Sequence, residues 1–171
     1  TDQAGNTGIY GDGGDCFEFT VPDAIDFYAE QFGSGIDLAE SRITFTSIET
    51  ADVYVPCFEP SPSLPFDPSG GAILNLGDDD SQSVAIPFGF DFYGVEYETA
   101  YIGSNGYLTF GSGDTGYEES FGAHFNLPRI SMLFDDLNPS IGGTVSWKIL
   151  GDVFVVTWSG VSEYNTSNSN T

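Results

Sequence analysis

The chain has 171 residues, 40% of them hydrophobic and 15% aromatic, enough to bury a sizeable core in one domain, or in one domain with an appendage. Its 26 Asp and Glu face one lysine (Lys148) and two arginines (Arg42, Arg129), a formal charge of −23. Such a field repels phosphate, which excludes nucleic acid and anionic membrane surfaces as partners. No apolar run of about eighteen residues is present, so no helical membrane insertion is expected. Divalent cations are the natural complement of the charge, and adaptation to salty water accounts for it equally well. The opening at Thr1 shows no charged-then-apolar leader, so any signal peptide the chain once had is expected to have been removed already.

Residues 1–15 are polar and glycine-rich and read as a loop. Residues 16–21 (CFEFTV) alternate as a half-buried strand and end at Pro22. Residues 23–32 are the one stretch with helical character, with Asp23 placed to cap it; a turn or strand suits it equally. Strands are expected over 42–48 and over 53–58, the latter broken by Pro56. Residues 59–71 concentrate proline, serine and glycine and mark a boundary. It separates an N-terminal extension with short strands (1–65) from a C-terminal domain (66–171).

In that domain, short strands follow at 72–76, 83–88, 90–93, 100–103, 107–111, 129–134, 143–149 and 153–158. Short strands with turn signals between them predict an all-β fold, an antiparallel β-sandwich of jelly-roll type. Asn105-Gly106 and Gly151-Asp152 supply residues that tolerate positive φ, as hairpin turns require. Trp147 and Trp158 sit within alternating strands and are expected to pack in the core rather than serve as ligand platforms. After Trp158 the chain becomes polar and shows no final strand to close a sheet edge.

Three segments carry a family resemblance: FGFDFYGVEYETAYIGSNGYLTFG from Phe88, PRISMLFDDLNPSIGGTVSW from Pro128, and FVVTWSGVSEYNTSNSNT from Phe154. As a set they resemble the nidogen-like extracellular module, as found in large secreted acidic proteins of planctomycete and marine bacterial type. AEQFGSGIDLAESRITF and LPFDPSGGAILNLGDDDS extend the likeness upstream to about residue 28. The resemblance implies an extracellular or cell-surface β-sandwich. It also implies further strands beyond the Asn-Ser-Asn-Thr stretch. A fragment, or strands supplied by another chain, would account for their absence, and an open sheet edge is then expected to pair with other copies or neighbouring modules.

Asp78, Asp79 and Asp80 form a run of carboxylates in a turn that must be solvated or bridged by a cation, for which calcium suits oxygen ligands. Asp135 and Asp136 end an apolar strand, so one points inward and needs a partner or caps the turn. Arg129 shares the nominal face of Asp135 but lies about 20 Å away along a straight strand, so a direct pair requires a bend. Asp12, Asp15 and Glu18 form only a partial glycine-aspartate loop. Cys16 and Cys57 match no metal spacing and are expected to form one structural disulfide, with buried free thiols as the alternative. Asn165-Thr166-Ser167 fits the N-glycosylation pattern.

Nucleophilic or acid-base catalysis finds little support. His124 is the one histidine, and Glu118 and Glu119 beside it are unsurprising in so acidic a chain. Tyr117 and Tyr164, in expected loops, are the aromatic candidates for glycan stacking. The composition and resemblance therefore favour a structural or adhesive module, cation-stabilised, in a filament, surface layer or large adhesin. A carbohydrate-binding accessory module of a secreted hydrolase is the alternative.

Overall fold

The computed structural model describes residues 28–33, 38–47 and 54–171. The expected strand at 16–21, most of the helical stretch, and Asp12, Asp15, Cys16 and Glu18 lie outside the described residues. Residues 28–32 within that stretch are not helical. The chain divides into two compact units, Thr1–Pro65 with Phe92–Gly94, and Phe66–Asp91 with Val95–Thr171.

In the first unit, β1 (Ser41–Ser47) pairs antiparallel with β2 (Tyr54–Pro60). Pro56 does not break β2 as expected: it lies opposite Phe45 in an unbroken register, and among the described residues the sheet has two strands, whose outer sides need no ladder N–H. Arg42 sits directly opposite Glu59 and donates from Nε to Oε1 at 2.7 Å. Both side chains are substantially exposed, so the pair fixes register more than it stabilises. Tyr28 donates its hydroxyl to the Tyr54 carbonyl at 2.5 Å and packs its ring against Phe45. The Tyr54 ring meets Tyr93 edge-on at 5.1 Å.

The second unit is an all-β sandwich of antiparallel sheets. One sheet has the order β10 (Val153–Ser159), β9 (Thr144–Leu150), β3 (Ala72–Leu74). A second runs β4 (Ser81–Phe92), β5 (Val95–Gly103), β6 (Tyr107–Phe110), β7 (Arg129–Ser131). A small third sheet joins β12 (Ser169–Asn170), β11 (Val161–Glu163) and β8 (Leu137–Asn138). The two strands expected at 83–88 and 90–93 are one long strand, because Pro87 and Gly89 lie on β4, an edge strand among the described residues, where both are tolerated. The polar end of the chain, read as strandless, contributes β11 and β12; polar strands this short carry no alternation to detect. One short helix, α1 (Phe121–His124), capped by the Ser120 hydroxyl, was also hidden from pattern reading.

The core lies between the two larger sheets. Leu74, Val84, Ile102, Val145 and Trp158 pack together with Leu76, Leu137 and Val161, and Trp147 and Phe154 lean against them. Both tryptophans are thus packing residues, and the Trp158 indole donates to the Gly103 carbonyl at 3.0 Å, linking the sheets. The β9–β10 hairpin turns through Gly151 (φ 65°) and Asp152, a two-residue connection of the expected kind.

The Asn105-Gly106 turn differs from expectation. Gly106 alone has positive φ (74°), and Ser104, Asn105 and Gly106 together connect β5 to β6. A Cβ on Gly106 would stand 1.9 Å from the Leu133 carbonyl oxygen, so glycine is required by close backbone approach as well as by conformation. Gly106 O in turn accepts from Met132 N at 3.1 Å, which ends β7 earlier than the strand expected over 129–134.

Candidate metal centre

Asn105 is fully buried, and its side chain holds three loops. Its Nδ2 donates to Asp79 Oδ1 at 3.0 Å and to the Gly116 carbonyl at 3.2 Å, while its Oδ1 accepts from Leu137 N at 2.9 Å. Ser104, equally buried, accepts from Asp80 N on its hydroxyl at 3.0 Å and donates its backbone N–H to Asp80 O at 2.9 Å. The β5–β6 turn therefore brings the β3–β4 connection and the β7–β8 connection to the same place. Tyr164 N donates to Asp136 O at 2.8 Å and anchors that loop to the third sheet.

Asp78, Asp79 and Asp136 each present a carboxylate oxygen within 4.8 Å of the others. Asp79 is exposed and the other two are half-buried. Asp78 Oδ1 is shielded from solvent and has no hydrogen-bond partner among the described residues. Burial raises the pKa of Asp78, and the Asp79 charge adds to it. Burial likewise raises Asp136, followed by Asp79, Asp78, Asp135 and Glu119. Partly desolvated carboxylates that repel one another, one with an orphaned oxygen, are hard oxygen donors suited to a divalent cation, calcium above all.

Two of the five carboxylates expected at such a site are committed elsewhere. Asp80 accepts from Gly77 N at 3.1 Å and Ser81 N at 2.8 Å, so it closes its own turn. Asp135 accepts from Asp136 N at 2.9 Å; burial raises its pKa, with Glu163 and Glu119 adding to the effect. Glu163 is held low, first by Asn168, with Asn170 and Thr166 also donating to it.

Arg129 pairs with Asp114 rather than Asp135, its side chain wholly buried. It donates further to Ala123 O at 3.2 Å and Asn126 Oδ1 at 3.1 Å, and its guanidinium lies 4.2 Å from the Tyr107 ring centroid. Burial opposes ionisation of Asp114, yet the Arg129 hydrogen bond and charge and the backbone donors Gly116 and Thr115 bring its pKa below the ordinary 3.8. Tyr107 donates to Gly116 O at 2.9 Å, and burial, with the Asp114 charge, pushes its pKa up to about 12. This network stiffens the loop that Asn105 also grips.

The remaining candidates are scattered. Tyr117 is exposed and lines an open pocket with Asp114, Glu118 and Ser120, whereas Tyr164 is exposed in the β11–β12 turn. Asn165 occupies the same turn, exposed, at φ 55°. His124 Nδ1 lies 3.1 Å from Ser131 Oγ, and burial, then the Arg129 charge, lowers the imidazole pKa. Cys57 lies in β2 opposite Thr44. Asn105 was missed as a site residue because Asn-Gly reads as a turn signal; the amide's role depends on loops 26 and 32 residues away in the chain.

No helix among the described residues is long and apolar enough to cross a membrane. Comparison with curated proteins gives no match, and neither does comparison with solved structures. A family profile described as NIDO related matches residues 58–171, and the chain belongs to this nidogen-related family, whose members are extracellular-type, non-enzymatic modules.

Proposed function

We propose that this chain is a secreted module that works by assembly, as a subunit of an extracellular filament, surface layer or large adhesin. Calcium held by Asp78, Asp79 and Asp136 stabilises it, and an open sheet edge joins it to other copies or neighbouring modules. The observation that carries the cation reading is the convergence of three carboxylates within 4.8 Å, together with the unpaired, shielded Asp78 Oδ1. The cation lessens the repulsion that burial aggravates, and its neighbours Leu137 and Tyr164 tie its loop to the small third sheet. Light scattering in calcium and then in excess chelator tests the reading: assemblies that disperse on chelation support it, and a monomer of unchanged size in both conditions contradicts it.

The Tyr117 pocket supports a second reading, carbohydrate binding by stacking a sugar face on an exposed ring flanked by Glu118 and Ser120. Saturable binding on a glycan array, lost in Tyr117→Ala or Tyr164→Ala, would establish it. Two modifications belong to the secreted reading. A Cys16–Cys57 disulfide predicts a non-reducing peptide map that joins the two cysteine peptides. A glycan on Asn165 predicts a glycosidase-sensitive mass increase after passage through a glycosylating secretory pathway.

A further inference from the structure

The chain contains one Asn-Gly pair, Asn105-Gly106. Its side-chain amide gathers the carboxylate loops, and the same amide is chemically labile. Glycine carries no side chain to hinder its own backbone nitrogen, so Gly106 N can reach the Asn105 side-chain carbonyl carbon when the segment is free to turn. In that reaction Gly106 N bonds to Asn105 Cγ, its proton passes to Nδ2, and Nδ2 leaves as ammonia while a five-membered imide closes. Water then opens the imide at either carbonyl, returns a proton to the nitrogen, and leaves aspartate or isoaspartate at position 105. Water is the one co-reactant.

The folded chain restrains the groups that this reaction must move. Asn105 is fully buried, with Nδ2 held by Asp79 Oδ1 and Gly116 O and Oδ1 held by Leu137 N. The backbone is pinned on both sides of the reacting nitrogen. Asn105 O accepts from Asp135 N at 3.5 Å, and Gly106 O accepts from Met132 N at 3.1 Å. Closing the imide turns the amide away from its three partners, so the buried Leu137 N–H loses its acceptor before any bond forms. Gly106 has no room to shift alone, since even a Cβ there would lie 1.9 Å from the Leu133 carbonyl oxygen. Reaction therefore waits until the β3–β4 and β7–β8 connections part from the β5–β6 turn.

We infer that Asn105 is a spontaneous deamidation site held shut by the loops it gathers, so that prolonged opening disables the carboxylate centre irreversibly. Both products oppose re-closure. Aspartate exchanges the Nδ2 donor for a carboxylate facing Asp79 Oδ1 and the Gly116 carbonyl, the two acceptors that Nδ2 had satisfied, in a buried position. Isoaspartate routes the backbone through the side-chain methylene and so lengthens the connection of Ser104, Asn105 and Gly106 between β5 and β6. It also removes the amide that joined three loops. The link to calcium rests on the reading above. An ion on Asp78, Asp79 and Asp136 binds the closed loops alone, and it lowers the open population, and with it the reaction rate, by about tenfold when calcium stands at ten times its Kd.

Peptide mapping of the whole chain tests this, with mass spectrometry reading the gain of one dalton at Asn105 and an isoaspartate methyltransferase reading the isomer. Incubations in calcium, in chelator and in urea are compared at one mildly alkaline pH and one temperature. Asn105 should react at least roughly a hundredfold more slowly in the folded chain than in urea. It should react roughly tenfold more slowly in calcium than in chelator. A chain aged in urea and returned to buffer should show a lower denaturant midpoint, and weaker calcium binding, than one passed briefly through urea. Where brief exposure itself prevents refolding, the rates decide alone. Asn105 reacting in the folded chain at its urea rate would overturn the inference, as would a fully deamidated chain that regains the parent's midpoint. Equal rates in calcium and chelator, both far below the urea rate, would uphold the gate and overturn the cation reading.

Discussion

Replacing Asn105 removes the side chain that gathers the carboxylate loops, and its cost can be worked from its bonds. Asn105→Ala leaves the Leu137 N–H buried without an acceptor, worth about 1–3 kcal/mol. It also withdraws a charge-assisted donor from Asp79, which is exposed and recovers water, so that loss adds about 1 kcal/mol. Gly116 O keeps the Tyr107 hydroxyl and adds little. The sum is about 3 kcal/mol, with calcium affinity falling because Asp79 is no longer held. Asn105→Asp keeps the acceptor for Leu137 but sets a buried carboxylate against Asp79 and the Gly116 carbonyl, and should cost more than the alanine variant. Urea unfolding of the three proteins in chelator measures both. A loss below about 0.5 kcal/mol for the alanine variant, or an aspartate variant as stable as the parent, would refute the view that this amide organises the site.

Further outcomes follow from the same geometry. Gly106→Ala should prevent native folding or cost upwards of about 3 kcal/mol, since its Cβ meets the Leu133 carbonyl at 1.9 Å; circular dichroism and denaturant midpoints read the effect. Trp158→Phe keeps most of the packing but orphans the Gly103 carbonyl, for a loss of about 1–2 kcal/mol by the same unfolding assay. Asp114 is depressed in the fold, so its stabilisation is present above the ordinary 3.8 and is lost as pH falls through the folded value. Asp114→Asn should flatten that acid limb of a pH–stability curve. Asp78 and Asp136 are raised instead, so in chelator their protonated forms favour the fold and that contribution disappears as pH rises through their folded values. Asp136→Asn should accordingly raise Tm in chelator and lower it in calcium, a reversal visible by calorimetry.

The fold was legible where apolar alternation is strong. The stretch 143–149 became β9 (Thr144–Leu150) and 153–158 became β10 (Val153–Ser159), because valines, Ile149 and two tryptophans announce a pleated, half-buried surface. It was illegible where polar residues form strands only through their neighbours, as β11 and β12 do, and where tertiary context overrides a breaker, as at Pro56 and Gly89. The acidic runs were visible as candidates. Which carboxylates converge was not, since Asp79 and Asp136 meet only because a buried asparagine from a third loop bonds to both segments, while Asp80 is drawn into its own turn. Arg129 met Asp114 rather than Asp135 for a like reason: the loop ending at Gly116 folds over the Tyr107 ring and brings its carboxylate to the buried guanidinium.

Isothermal titration of the chain with calcium is the most direct test of the central claim, that Asp78, Asp79 and Asp136 form a cation site. One saturable ion is predicted, with a Kd on the order of 10⁻⁵ to 10⁻³ M, weakened at least roughly tenfold in Asp78→Asn with Asp136→Asn. A titration that shows no binding at millimolar calcium, or a doubly substituted chain that binds as the parent does, would contradict it.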